Sequence, residues 1–262
     1  MKYTVITGAS SGIGLEAAKA FGGLGKNLIL IARRKERLDQ LKKDLLADFP
    51  TLEIVIKSVD LSLNEHVIRL YQELKSYDIE TWINNAGLGY YHAVADQDLE
   101  KISQMLHLNI EALTLLSTLY VTDYQDIENT QLINISSAGG YRNVPNAVTY
   151  CATKFYVSAF TEGISLELQA KGASLQAKVL APAATETEFA QVANGSASYD
   201  YTKGFSVYHS AKEVAQLLIE LYQSQQVVGL VDRDTFEFNL SGPIFDSYQT
   251  GIKICSNIKK LA

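Results

Sequence analysis

Apolar positions in this chain fall into two alternating periods. Short runs rich in Val, Ile and Leu are separated by longer stretches in which apolar residues recur every three or four positions. The short runs read as β-strands over residues 3–7, 27–32, 53–58, 81–84, 131–136, 174–180 and 227–231. Helical patterns fit between them over residues 12–24, closed by Gly25, and 34–49, stopped by Pro50. Further helices are expected over residues 63–77, 99–121 and 147–171. Strands that read as continuous apolar runs and alternate with helices predict a doubly wound, mostly parallel sheet of about seven strands, flanked by helices on both faces: an α/β, Rossmann-type fold. Two regions break the rhythm. Residues 182–208 show no period and are rich in Ala, Ser, Thr, Gly and Tyr, as in a functional loop. The tail, residues 236–262, has no assignable pattern before an apolar stretch over 248–260, which fits an amphipathic helix at a subunit interface. With no repeat or linker, one domain over 1–262 is expected.

Composition narrows the function. Of 262 residues, 47% are hydrophobic and 20% charged, as in ordinary globular proteins. A net charge of −6 lacks the basic excess that nucleic acids or anionic membranes demand. Cys151 and Cys255 make neither a disulfide framework nor a metal motif. His66, His92, His107 and His209 form no pair at metal spacing, so no metal is expected. The opening residues run straight into a strand, so no leader is expected and the cytoplasm is the default location.

The first candidate chemistry follows the first strand: Thr7-Gly8-Ala9-Ser10-Ser11-Gly12-Ile13-Gly14, opening a helix. Glycines permit the turn and let the backbone approach a diphosphate, and the helix N-terminus offers free N–H groups to the anion. Gly8, Ser10, Ser11, Gly12, Ile13 and Gly14 are therefore candidate dinucleotide contacts. An acid at the end of the second strand would bond a ribose 2′-hydroxyl and repel a 2′-phosphate. The chain has Ala32 there, then Arg33 and Arg34, which favours NADP(H) over NAD(H). Lys35 and Arg37 read as solvated charges. Asp60 either reaches the adenine edge or caps the following helix.

Tyr150 and Lys154 lie four apart on a helical pattern, so they share one face. A phenol is too weak an acid for work near neutral pH unless a cation lowers its pKa. Ser136 and Ser137 end the fifth strand, where such sheets bind ligands.

Together, Thr7-Gly-x-x-x-Gly12-x-Gly14, Asn84-Asn85-Ala86-Gly87, Asn109, Ser137 and Tyr150-x-x-x-Lys154 resemble the short-chain dehydrogenase/reductase family, over about residues 1–235. The resemblance implies a hydride transfer between NADP(H) and a carbonyl or alcohol. Tyr150 would exchange the proton and Ser137 would polarise the oxygen, with Ser136 as the adjacent alternative. Lys154 would hold the nicotinamide ribose and depress the tyrosine pKa. Asn109 would hold a water relaying protons to Lys154. Asn85, Ala86 and Gly87 would line the adenosine–ribose side. Pro182 would follow the sixth strand, with Thr187, or else Thr185, bonding the carboxamide. Ala183 replaces the family's usual glycine, which questions that turn. The family also implies a homodimer or homotetramer through the two long helices. Tyr90, Tyr91, His92, Tyr199 and Tyr201 are candidate substrate contacts, Trp82 reads as core and Cys151 as a buried hydrophobe. A dinucleotide-binding sensor without turnover is the alternative, but no member of the Ser–Tyr–Lys set is missing. Epimerase chemistry usually goes with longer chains.

Overall fold

The computed structural model describes residues 1–195, 200–201 and 207–247. An eight-stranded sheet runs through it: β1 (Lys2–Thr7), β2 (Asn27–Ala32), β3 (Ile54–Ser58), β4 (Asp78–Asn84), β5 (Gln131–Ile135), β6 (Gln176–Ala181), β9 (Val228–Val231) and β10 (Phe238–Ser241). Their spatial order is β10-β9-β6-β5-β4-β1-β2-β3. Only β10 pairs antiparallel, so seven strands run parallel and the expected class holds with one strand more than read. The added strand lies inside the tail whose pattern could not be placed. The order reverses between β1 and β4, and a crevice opens there at the strands' carboxyl ends.

Period-two alternation explains why these strands are buried on both faces. Ile6, Leu28, Leu30, Ile83, Ile133 and Leu180 point to one side, where they meet α1 (Gly12–Gly23), α2 (Lys35–Asp48) and α8 (Ala211–Gln223). Val5, Ile29, Ile31, Trp82, Leu132 and Ala177 point to the other. There they meet α3 (Asn64–Leu74), α5 (Leu113–Tyr124) and α6 (Val148–Lys171). Trp82 is fully buried, and its indole donates to Asn84 Oδ1 at 2.8 Å.

Three departures from the sequence reading have physical causes. The helix expected over 99–121 is instead α4 (Leu99–Leu106), a π-helical turn (His107–Ala112) and α5. The extra residue in that turn rotates Asn109 without disturbing the apolar stripe, so the pattern looked continuous. The aperiodic region is not structureless: it holds β7 (Thr185–Glu186), α7 (Glu188–Ala193) and β8 (His209–Ser210), with β7 paired to β8. Helix α8, which the sequence reading did not assign, starts at a capping box in which Ser210 and Glu213 satisfy each other's backbone N–H. The tail segment from 248 and Tyr199 lie outside the described residues. Among those described, no helix is long and apolar enough to cross a membrane.

Candidate active site

A cavity of about 610 Å³ lies along the carboxyl ends of the parallel strands. All the sequence-predicted dinucleotide contacts except Gly14 line it, together with Ser137, Tyr150 and Lys154. Asn109 and Gly14 stand just behind its wall.

At one end the glycine turn bends between β1 and α1. Gly8 takes φ +69°, and a Cβ there would lie 2.9 Å from Ala86 Cα. A Cβ on Gly14 would sit 2.4 Å from the Gly8 carbonyl oxygen, so only glycine lets helix and turn meet. The loop is held from below by the Asn85–Ala86 turn. The N–H groups of both residues donate to Thr7 Oγ1 at 2.9 and 3.0 Å, and Asn85 Nδ2 donates to the Thr7 carbonyl at 3.0 Å. No side chain caps the N-terminus of α1, which leaves its first N–H groups facing the cavity. The loop and helix end fit a dinucleotide diphosphate.

The basic residues divide the labour. The Arg33 side chain is exposed and stands 4.0 Å from Asp60 Oδ2. Arg34 donates to Ser11 Oγ at 2.7 Å and Ser10 Oγ at 3.2 Å, and pairs with Glu188 at 2.8 Å. Arg37, read from the sequence as a solvated charge, instead holds the other Glu188 oxygen at 2.6 Å. Both guanidiniums keep the Glu188 carboxyl below its usual range, Arg37 most strongly. Asp60 does not cap α3, whose N-cap is Leu63. It accepts from the Ser62 N–H at 3.0 Å and hydroxyl at 2.8 Å. Burial would raise its carboxyl, but those bonds and Arg33 hold it low.

At the other end α6 carries Tyr150 and Lys154, both buried. Lys154 Nζ donates to the Ile135 carbonyl at 2.9 Å and lies 5.9 Å from the centre of the Tyr150 ring. Burial alone lowers Lys154 to about 8. Burial pushes the Tyr150 phenol well above its ordinary value, against a hydrogen bond with Ser137 that pulls it down. So the phenol is protonated across the physiological range, where the resemblance implied a pKa depressed by Lys154. Ser137 begins a short 3₁₀ turn (Ala138–Gly140) and accepts from the Gly139 N–H at 3.1 Å. Ser136 turns away: its hydroxyl donates to the Lys154 carbonyl at 2.9 Å and pairs with Ser158 Oγ at 2.7 Å.

Asn109, in the π turn, ties two walls together. Its Oδ1 accepts from the Leu88 N–H at 2.8 Å. Its Nδ2 donates to the Leu88 carbonyl at 2.8 Å and to Thr153 Oγ1 at 3.1 Å. A side chain at Gly87 would sit 3.3 Å from Asn109 Oδ1 and 3.6 Å from Lys154 Nζ, so glycine keeps a small polar gap open between them.

After β6, Pro182 O accepts from the Ala138 N–H at 2.8 Å. Ala183 has no left-handed backbone, so its replacement of glycine imposes no strain. Thr185 Oγ1 donates to the Ala183 carbonyl at 3.0 Å. Thr187 caps α7 and lies beside Gly12, whose Cβ would meet Thr187 Cγ2 at 3.0 Å. Of the aromatic candidates, Tyr91 stands edge-on to Tyr150 with centroids 5.5 Å apart, and Tyr201 lines the cavity. Tyr90 and His92 do not line it: Tyr90 is buried, lies tilted against the His92 ring with centroids 4.5 Å apart and accepts from the Asp98 N–H. Sequence reasoning missed Phe189, 5.5 Å from Tyr150, and also Glu188 and Arg233. Their signal was an aperiodic loop and a hairpin that no motif marks. Among the described residues, no three His, Cys, Asp or Glu side chains gather to hold a metal.

Comparison with known proteins agrees with this geometry. The profile of the family described as short chain dehydrogenase matches residues 2–198. An uncharacterized oxidoreductase of Staphylococcus saprophyticus is 31% identical over 191 residues, 71% of this chain and 75% of that protein. Sulfoacetaldehyde reductase 2 of Chromohalobacter salexigens is 32% identical over 225 residues, covering 82% and 85%. Among solved structures, a short-chain dehydrogenase from Sphingobium yanoikuyae in complex with NADPH aligns at TM-score 0.79 with 28% identity, over 87% of each chain.

Proposed function

Because this chain belongs to the short-chain dehydrogenase family of oxidoreductases, we propose that it transfers a hydride between NADP(H) and a carbonyl or alcohol, with Tyr150 exchanging the proton. The observation that carries this reading is the placing of Ser137, Tyr150 and Lys154 in one cavity with the glycine turn and Arg33 and Arg34. A bound nicotinamide dinucleotide supplies or accepts the hydride.

In the reducing direction, the Ser137 hydroxyl and the Tyr150 phenol both donate to the substrate oxygen, which orients the carbonyl and draws charge onto that oxygen. Burial holds the phenol protonated until the oxygen gains negative charge. Its O–H bond then breaks as the new O–H bond of the alcohol forms, leaving a phenolate. Below about pH 8 Lys154 is an ammonium, and its positive charge near the ring favours that phenolate. The gap between Asn109 Oδ1 and Lys154 Nζ fits a bridging water that returns the proton. Arg33 and Arg34 offer guanidinium forks to the 2′-phosphate, and no acid ends β2 to oppose it. The NADPH complex of the Sphingobium relative supports the same choice.

The test is a fluorescence titration with NADPH and NADH, followed by a screen of aldehydes and ketones. The wild type binds NADPH about tenfold or more tightly than NADH, and Arg33→Ala narrows that gap. Tyr150→Phe keeps NADPH binding while turnover falls roughly 100- to 10 000-fold. Undiminished turnover in Tyr150→Phe overturns the assigned proton donor, and no binding of either dinucleotide overturns the reading as a whole.

A further inference from the structure

Six charged side chains line the cavity: Arg33, Arg34, Asp60, Lys154, Glu188 and Arg233. Four of them sit at the end where the glycine turn meets α2, and they engage one another or the loop hydroxyls. Lys154 is buried beneath Tyr150. Arg233 is left, and neither the glycine turn nor the Ser–Tyr–Lys set uses it.

Its position is fixed by the turn that joins β9 to β10. Asp232 N–H donates to the Glu237 carbonyl at 2.9 Å, and the Phe236 N–H returns to the Asp232 carbonyl at 2.9 Å. The two acids that flank Arg233 are committed elsewhere. Asp232 Oδ1 accepts from the N–H groups of Asp234 and Thr235 at 2.8 and 2.9 Å. Asp234 pairs with Arg142 at 2.8 Å, which ties the turn to the loop between Ser137 and Tyr150. Among the described residues Arg233 has no ion-pair partner. The same cavity is lined by the apolar Leu88, Val144, Ala147, Cys151 and Phe189, with Tyr91, Asn146 and Asn194 among them. The Arg233 charge is felt beside the reacting centre. Burial raises the Cys151 thiol, and Arg233, after a hydrogen bond from Val144, pulls against that rise.

We propose that Arg233 reads a negative charge on the substrate, so that the site selects small aldehydes or ketones carrying an anionic group such as a carboxylate, phosphonate or sulfonate. An exposed guanidinium fork at the rim of a largely apolar pocket gives such a group a charge-assisted, two-point contact. A neutral substrate of the same length gains nothing there. The anion is held at the cavity mouth while the carbonyl reaches Ser137 and Tyr150, so the contact orients the reacting carbon as well as binding it. This inference rests on the carbonyl-reducing reading above.

The test uses the intact protein with NADPH and three aldehydes of matched chain length, ending in a carboxylate, a phosphonate or a methyl ester. The expected kcat/KM for at least one anionic aldehyde exceeds that of the ester tenfold or more, carried mainly by KM. Arg233→Ala removes that ratio, and Arg233→Lys restores part of it. An NADPH titration of both variants shows that they are folded. Similar kcat/KM for all three aldehydes, or a preference that survives in Arg233→Ala, overturns the inference and leaves the oxidoreductase reading standing. NADPH binding without turnover of any aldehyde overturns both.

Discussion

Glu188 shows how far one side chain can bias a binding site. Its carboxylate occupies the two guanidiniums, Arg34 and Arg37, at the glycine-turn end of the cavity, where the 2′-phosphate is proposed to bind. A 2′-phosphate approaching Arg34 meets an anion already in place, so phosphate and carboxylate compete for one fork. Both partners are about two-fifths exposed, which limits the pair to roughly 1 kcal/mol or less. Glu188→Gln therefore tightens NADPH binding by no more than about fivefold and leaves NADH binding unchanged. Equal effects on the two dinucleotides, measured by titration, would mean that Glu188 acts through α7 and not through the phosphate. At this scale the sequence was legible where spacing alone dictates proximity. Tyr150 and Lys154 share a helix face by their separation, and Ser137 sits at a strand end. Glu188, Phe189 and Arg233 reach the cavity only through the path of a loop or hairpin, which no local period encodes.

Among the elements, β6 contains an anomaly that its neighbour explains. Lys178 lies mid-strand and is almost fully buried, where an apolar residue is expected. Its ammonium donates to the carbonyls of Leu221, Tyr222 and Ser224 at 3.2, 3.1 and 2.6 Å, which places a positive charge at the C-terminal end of α8 and helps satisfy its last carbonyls. Burial lowers Lys178 from 10.5 to about 8. Between those values the unfolded chain binds more protons than the folded one, so stability rises with pH across that window. Below pH 8 the cost of burying the charge is fully present. Lys154 contributes a rise of the same sign. Lys178→Met removes one of the two, so chemical denaturation followed from pH 7 to 10 shows a shallower rise. It also removes the donor from the Ser224 carbonyl, while the Leu221 and Tyr222 carbonyls keep Ser224 and Gln131, so the variant is about 1–3 kcal/mol less stable at pH 7. Unchanged stability would show that water replaces the ammonium, and an unchanged pH slope would show that burial does not lower Lys178. Helix α8 itself was readable in principle, since Ser210-x-x-Glu213 is a helix-start signature. The π turn at His107–Ala112 was not, because shifting one hydrogen bond leaves the apolar stripe intact.

The whole molecule converts these local features into one ligand-dependent object. The cavity draws its lining from the carboxyl ends of β1 through β6 and from the β9–β10 turn, so a dinucleotide bound as proposed would bridge most of the sheet's width. A ligand that binds only the folded state stabilises by RT ln(1 + [L]/Kd), about 2.7 kcal/mol at a hundred times Kd. In a chain of this size that raises Tm by roughly 5–10 °C. The net charge of −6 opposes any anion at long range, so selectivity between anions depends on contacts at the cavity itself. Adenosine 2′,5′-bisphosphate and 5′-AMP isolate those contacts, because they differ only in the phosphate that Arg33 and Arg34 are proposed to read. At equal concentration the bisphosphate raises Tm more than AMP does, and the difference shrinks in Arg34→Ala and at high salt. Equal shifts would remove the phosphate reading and assign the adenosine end to NAD(H), while the glycine turn and the Ser–Tyr–Lys set would keep their roles. A difference that survives in Arg34→Ala would transfer the phosphate to Arg33 alone, whose exposed guanidinium has, among the described residues, only Asp60, 4.0 Å away, to hold it.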